Sequence, residues 1–248
     1  MLISRSVSHL RRRSMMAMAV LAASATLLAG CGANGSDNAA GGSNAKASHS
    51  AASHNGSPSQ SSMPAGSRTP SEAALYAAME HLWSQHMEWT YSTIAAFKGN
   101  QEALTPTLTR LLANQTDLGD AIKPYYGDAA SNKLSKLLHA HINGYVPVLK
   151  AAAAGDSAGV KKAFDKVLAN GVQIAKFLAK ANPNWPESPM ADVMNTHNQQ
   201  TLKYAAAQLQ GDYAKSIKLY GQAEQHMWKM GDMMAAGIIK QFPDKFTS

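Results

Sequence analysis

The 248-residue sequence contains a single cysteine, few aromatic residues (7%) and only 16% charged residues. One thiol excludes an internal disulfide and the paired-cysteine motifs of zinc and redox sites. The sequence also lacks a glycine-rich phosphate loop, a GxSxG elbow, an HExxH pair and the Glu-x-x-His motif of di-iron bundles. These absences favour a binding or structural role over an enzyme, while a hydrolase or transferase with a histidine base remains as a third interpretation.

Residues 1–30 have the pattern of a bacterial secretion signal. Four arginines precede an apolar run from Met15 to Ala29, which is too short to cross a bilayer comfortably. The run ends in Leu28-Ala29-Gly30-Cys31, which resembles the lipobox of bacterial lipoproteins, with small residues before the cut and a thiol that carries diacylglycerol. We therefore expect cleavage before Cys31, lipidation of that cysteine, and a lipid-anchored protein on the extracytoplasmic side of the cell membrane or outer membrane.

Residues 31–70, which begin with the lipidated cysteine, are predicted to form a disordered tether. Beyond Cys31 they consist mainly of Gly, Ser, Ala and Asn, which offer too little apolar surface to offset the entropy of ordering. Removal of residues 1–30 leaves 19 basic and 16 acidic residues, so the net charge falls from +7 to about +3. This charge does not indicate a nucleic-acid partner. The predicted partner is the membrane, contacted through the lipid.

Residues 71–248 have the periodicity of helices that pack around one core. Their turn signals recur, because Gly99-Asn100, Gly155-Asp156 and Gly211-Asp212 are each 56 residues apart. Two further breaks fall at Gly127-Asp128 and Asn182-Pro183. The pattern predicts an all-α bundle of about six helices, built as three helical-hairpin repeats of about 56 residues.

Polar side chains recur on the apolar faces of these helices in the same register. The first helix of each hairpin has an inward histidine, and these are His86, His141 and His197. The second helix has an inward amide or imidazole, and these are Asn114, Asn170 and His226. At a rise of about 1.5 Å per residue, both sets lie roughly 20 Å from the turn of their hairpin. We therefore expect each histidine to face its partner, and four imidazoles and two amides to share one buried layer.

This polar layer has two interpretations, because buried polar groups must be hydrogen-bonded or bind something. It can fix helix register in a structural or interaction lipoprotein that has no ligand. Alternatively, the four histidines bind a transition metal such as Zn, Cu or Fe(II), or a small ligand in an apolar cavity. Asn114, Asn170 and Glu224 would then support the site, since Glu224 occupies a position that is leucine in the other two copies. We favour the binding protein.

Four segments resemble a known group of proteins. They are LWSQHMEWT at residues 82–90, NQTDLG at 114–119, GDY at 211–213 and QFP at 241–243. Similar segments occur in a group of uncharacterised bacterial helical lipoproteins. Some of these proteins carry the names glycosyltransferase or acetylglutamate kinase, which this sequence does not support because it has no nucleotide-binding βαβ unit. The resemblance implies export and a helical fold, and no particular activity.

Overall fold

The computed structural model describes residues 68–248, so Cys31 and the predicted signal and most of the predicted tether lie outside the described residues. The described part is all-helical, as the sequence predicts. Its helices are α1 (Pro70–Gly99), α2 (Gln101–Ala153), α3 (Ser157–Ala181), α4 (Glu187–Gln210) and α5 (Tyr213–Gln241), followed by a 3-10 turn at Pro243–Lys245. Within residues 68–248 no helix combines the length and the apolar character needed to cross a membrane.

Three Gly-Asx turns separate helices at the predicted places. The side chains of Asn100, Asp156 and Asp212 each accept a hydrogen bond from the backbone N–H three residues later, at 3.1, 2.8 and 3.3 Å. This bond satisfies one of the free donors at a helix N-terminus, which is why Asn and Asp are preferred there. Gly155 and Gly211 have positive φ angles of 71° and 85°, which let the chain reverse just before the cap.

The structure has five helices where the sequence predicts six. Helical hydrogen bonding extends up to Gly127 from both sides. Residues 101–153 therefore form one continuous helical element with a kink at Gly127. Gly127 itself has φ 77° and ψ 175°, a conformation that residues with a Cβ rarely adopt. The arms 101–126 and 128–153 fold back on each other, and the Ser131 hydroxyl donates to Asp120 at 3.1 Å. The helix count therefore does not establish three equal hairpins.

The helices close into a bundle, because each packs on its neighbour in sequence and α5 returns to pack on α1. The interior contains several methionines that are at most 2% exposed, and these are Met79, Met87, Met190, Met227 and Met230. The ends of the described chain meet, since the Ser71 N–H donates to the Ser248 carbonyl at 3.0 Å. Both ends thus lie at the start of α1, opposite the turn at Gly99.

Candidate functional site

Three of the predicted histidines lie together inside the bundle. His86 comes from α1, His141 from the second arm of α2 and His197 from α4, and their side chains are 3–4% exposed. The ring centroid of His197 is 5.6 Å from that of His86 and 6.0 Å from that of His141. The inward register therefore brings imidazoles from three different helices into one cluster.

A cavity of about 240 Å³ extends from this cluster toward the end of α1. Its walls are mainly aliphatic side chains of α1 and the two arms of α2, among them Ile94, Leu111, Ile142 and Leu149. The histidines line one end. The lining residues at the other end are Phe97, Leu104 and Lys150, which are half-buried or exposed. We call this space the histidine cavity; histidine rings form its floor, its lining surface is almost entirely apolar, and its mouth is near the Gly99 turn.

The three imidazoles are neutral at ordinary pH. Burial lowers the pKa of His86 to about 3, with a smaller contribution from neighbouring His141. Burial also lowers the pKa of His141 to about 4, against the opposing effect of the Asn170 and Asn198 amides. The pKa of His197 is held well below its ordinary value by burial and then by the three histidines around it. The rings at the floor of the cavity therefore carry no net charge.

The first two predicted pairs differ in whether the histidine bonds directly to its partner. His141 pairs directly with Asn170, because the ring Nδ1 is 2.8 Å from the amide Oδ1. His86 does not bond to Asn114. The Gln115 side chain lies between them, with its Nε2 3.2 Å from His86 Nδ1 and 3.0 Å from Asn114 Oδ1. The first pair is thus bridged by a residue that the sequence analysis did not single out.

In the third pair His226 is only half-buried and takes over the role of an asparagine. Asn114 Nδ2 donates to the Leu82 carbonyl at 3.0 Å, and His226 Nε2 donates to the Val193 carbonyl at the same distance. No bond from His226 to His197 occurs among residues 68–248, and His197 Nδ1 has no hydrogen-bond partner there. His226 therefore stabilises the packing of two helices beside the cavity and does not line it.

Glu224 lies away from the histidine floor. Its carboxylate accepts a hydrogen bond from the Tyr220 hydroxyl, one turn earlier in α5, at 3.3 Å. It is half-buried and does not line the histidine cavity. The geometry therefore offers no contact through which Glu224 would orient an imidazole.

Two polar residues beside the floor were not predicted. The Asn198 amide accepts from the Tyr145 hydroxyl at 3.1 Å through Oδ1, and within residues 68–248 its Nδ2 has no partner. Thr201 lines the cavity, and its hydroxyl is also without a partner in this part of the chain. Asn198 and Thr201 follow His197 on α4, so a polar pair near an inward histidine was the available signal.

The side chains around the cavity can be compared with the needs of the two predicted ligands, a transition metal and a small molecule. Within the part of the chain that the structure describes, no three His, Cys, Asp or Glu side chains are grouped so as to hold a metal ion. The cavity instead combines an apolar wall with a few polar groups, which is typical of sites for small organic molecules. Comparison with protein-family models, with curated protein sequences and with solved structures gives no significant match to this chain.

Proposed function

We propose that this protein is a lipid-anchored extracytoplasmic binding protein that holds a small, mostly apolar molecule in the histidine cavity. The observation that supports this most is the cavity itself, about 240 Å³ with three neutral imidazoles at its floor. An engineered apolar cavity of about 150 Å³ admits benzene, so this volume suits a somewhat larger guest. The anchor in this proposal is the predicted lipid on Cys31.

The neutral floor favours an uncharged organic guest over a transition metal. His141 uses Nδ1 to bond Asn170, and the His226 ring bonds a carbonyl, so these nitrogens are already occupied. A metal remains the second guest from the sequence analysis. Elemental analysis of the purified full-length protein tests it directly, and a stoichiometric transition metal would contradict the organic guest.

The cavity makes a first prediction for the protein isolated from membranes. Val146 lines the cavity and is half-buried, so Val146→Trp should fill the space with an indole ring. Organic-solvent extraction and mass spectrometry should find a small molecule bound to the full-length wild type at near one per chain and absent from Val146→Trp. The matched control is Ile217→Trp, which adds the same ring at a position 62% exposed and should leave the bound molecule in place.

Two outcomes would contradict the proposal. One is an equal amount of the molecule on wild type and Val146→Trp, which places the binding elsewhere. The other is a wild type with nothing extracted and no change in melting temperature with any apolar molecule, since a ligand that binds only the folded state must raise its stability. That second outcome would favour the alternative, a structural lipoprotein whose polar layer sets helix register.

The three-hairpin repeat belongs to the same proposal, and equivalent hydrogen bonds support it. Asn170 Nδ2 donates to the Leu137 carbonyl at 3.2 Å, as Asn114 and His226 do to the carbonyls of Leu82 and Val193. Each accepting carbonyl lies four residues before the histidine of its own hairpin. The donors are 56 residues apart, which matches the spacing of the three Asx caps.

The repeat makes a second prediction, for His226→Asn. An asparagine there should donate to Val193 through Nδ2 and accept from His197 Nδ1 through Oδ1, as Asn170 does for His141. A buried ring nitrogen would gain a partner, so the free energy of unfolding should rise by about 1 kcal/mol. Urea unfolding at pH 7.5 measures this as a higher midpoint with an unchanged slope. The reverse variant Asn170→His should lower the midpoint, and a fall in both variants would contradict the repeat.

A further inference from the structure

The histidine cavity is long and narrow. On α1 its lining runs from His86 at the floor to Phe97 at the mouth, and on the second arm of α2 it runs from His141 to Lys150. At about 1.5 Å per residue these stretches are roughly 16 and 14 Å long. A volume of about 240 Å³ spread over such a length suits an extended chain better than a compact ring.

Three threonines line the cavity with hydroxyls that are already bonded or buried. Thr90 and Thr93 each donate to the backbone carbonyl four residues earlier in α1, at 2.6 and 2.7 Å. The Thr201 hydroxyl has almost no accessible surface. The threonines therefore contribute little beyond methyl groups to the surface that a ligand meets.

Four of the six ring nitrogens at the floor are likewise out of a ligand's reach. His86 Nδ1 is 3.2 Å from the Gln115 amide and His141 Nδ1 is 2.8 Å from the Asn170 amide, so both are occupied. His141 Nε2 and His197 Nδ1 have almost no accessible surface. The rings therefore meet the cavity mainly through their carbon atoms, which agrees with a lining that is almost entirely apolar.

Polarity returns at the mouth of the cavity. Among the lining residues of the described chain, Lys150 alone carries a charge, and it is exposed. It makes no ion pair within residues 68–248. A polar head group at this end would keep its contact with water. At the floor the same group would lose its hydrogen bonds to water without replacing them, which costs free energy.

We propose, resting on the proposed function, that the ligand is an unbranched aliphatic chain with one polar end, bound tail-first. Its terminal methyl group lies at the histidine floor, and its polar head lies at the mouth beside Lys150. Each methylene along the cavity stabilises the complex because it leaves water for an apolar wall. Fatty alcohols are the simplest uncharged molecules of this kind.

Two isomeric diols test the direction of insertion on the full-length protein at pH 7.5. 1,2-Octanediol has both hydroxyls at one end, whereas 1,8-octanediol must place one of them at the floor. The 1,2-isomer should bind at least about tenfold more tightly, because a hydroxyl at the floor finds no partner. Calorimetry and the rise in melting temperature measure the difference. Equal affinities would show that the floor accepts a polar group and would overturn tail-first binding.

A series of alcohols tests how deeply the tail is buried. Each added methylene should tighten binding about fourfold, so 1-octanol should bind roughly fifteenfold more tightly than 1-hexanol. The branched isomer 2-propyl-1-pentanol also has eight carbons and should bind more weakly than 1-octanol, because the cavity is narrow. Affinity that does not change with chain length, or a branched isomer that binds as tightly, would contradict an extended buried chain.

Charged probes locate the head group. The wild type should bind octanoate at least about threefold more tightly than octylammonium, because an exposed lysine attracts the first and repels the second. Lys150→Glu should reverse this order. Lys136→Glu makes the same change of charge at an exposed position of the same arm, outside the cavity, and should keep the wild-type order. An order that Lys150→Glu leaves unaltered would place the head group away from the mouth.

Failure of the proposed function would look different. If no alcohol or diol binds and Val146→Trp extracts like the wild type, the cavity holds no ligand and both statements fail together. If no alcohol binds but Val146→Trp loses its extracted molecule, the cavity binds another class of ligand and the aliphatic chain is wrong. If the alcohols bind and the two diols bind equally, only the direction of insertion fails.

Discussion

Lowering the pH from 7 to 5 is expected to reduce the free energy of unfolding by about 4 kcal/mol through His86 and His141 alone, about 2 kcal/mol each. In the unfolded chain these rings bind protons near the ordinary pKa of 6.5, whereas in the folded protein burial lowers the pKa values to about 3 and 4. The unfolded state therefore binds more protons throughout this range. Stability is complete above pH 6.5 and is lost as the pH falls toward the folded pKa values.

His197 adds to this loss in the same direction, because burial and the three neighbouring histidines also oppose its protonation. Small domains have about 5–15 kcal/mol of stability, so this loss is a large fraction of the total. Urea unfolding at pH 7, 6 and 5 measures the effect through the midpoint at constant slope. A ligand in the histidine cavity would be released over the same range, since it binds only the folded state.

Variants assign the acid sensitivity to the floor of the cavity. His141→Leu removes one buried titrating group, so the loss between pH 7 and pH 5 should shrink by about 2 kcal/mol, whatever the variant does to stability at pH 7. His139→Leu, two residues away on the same helix, is the matched control and should leave the loss unchanged. An unaltered pH dependence in His141→Leu would show that His141 does not contribute to the acid sensitivity and that other groups cause it.

Gly237→Ala is expected to destabilise the fold by about 3 kcal/mol, since it forces a methyl group into a filled interior. A Cβ on Gly237 would lie 1.9 Å from Trp185 Nε1 and 2.7 Å from two further ring atoms. Trp185 is fully buried, and its Nε1–H donates to the Met233 carbonyl at 3.2 Å, so the ring has little freedom to move.

The same helix offers a control for this substitution. Gly221 is also in α5, and a Cβ there would meet no atom within 4 Å. Gly221→Ala should therefore stabilise the protein by up to about 1 kcal/mol through helix propensity alone. Thermal unfolding of the two variants should give melting temperatures on opposite sides of the wild type. A Gly237→Ala protein that melts with the wild type would mean that α5 and Trp185 do not pack as described.

The helix ends were predictable because their signals are local. Asn100, Asp156 and Asp212 cap helices through bonds that span three residues, and a pattern of that length is visible in the sequence. Gly127 was recognised as a break for the same reason. The single helical element that spans this break was not predicted. The chain reverses at Gly127 alone, and helical hydrogen bonding continues up to it from both sides.

The cluster of three histidines was predictable from helical periodicity, and its hydrogen-bond partners were only partly so. The position occupied by Gln115 is glycine and methionine in the other two proposed copies, so the register alone gave no reason to place an amide between Asn114 and His86. Gly171 is a second example. A Cβ at this position would lie 3.0 Å from Asn198 Nδ2, so the glycine leaves room for the Asn198 amide. This fit depends on how two helices pack against each other. The size and position of the cavity depend on the distances between helices, which helical periodicity does not specify.

The direction of α1 has a consequence for where exchange with the surroundings takes place. The chain enters the bundle at Pro70, and Phe97 at the mouth is about 40 Å further along the helix axis at about 1.5 Å per residue. The start of α1 and the opening of the cavity therefore lie at opposite ends of the helical domain. A bound molecule would therefore enter and leave at the end of the bundle farthest from the point where the chain joins it at Pro70.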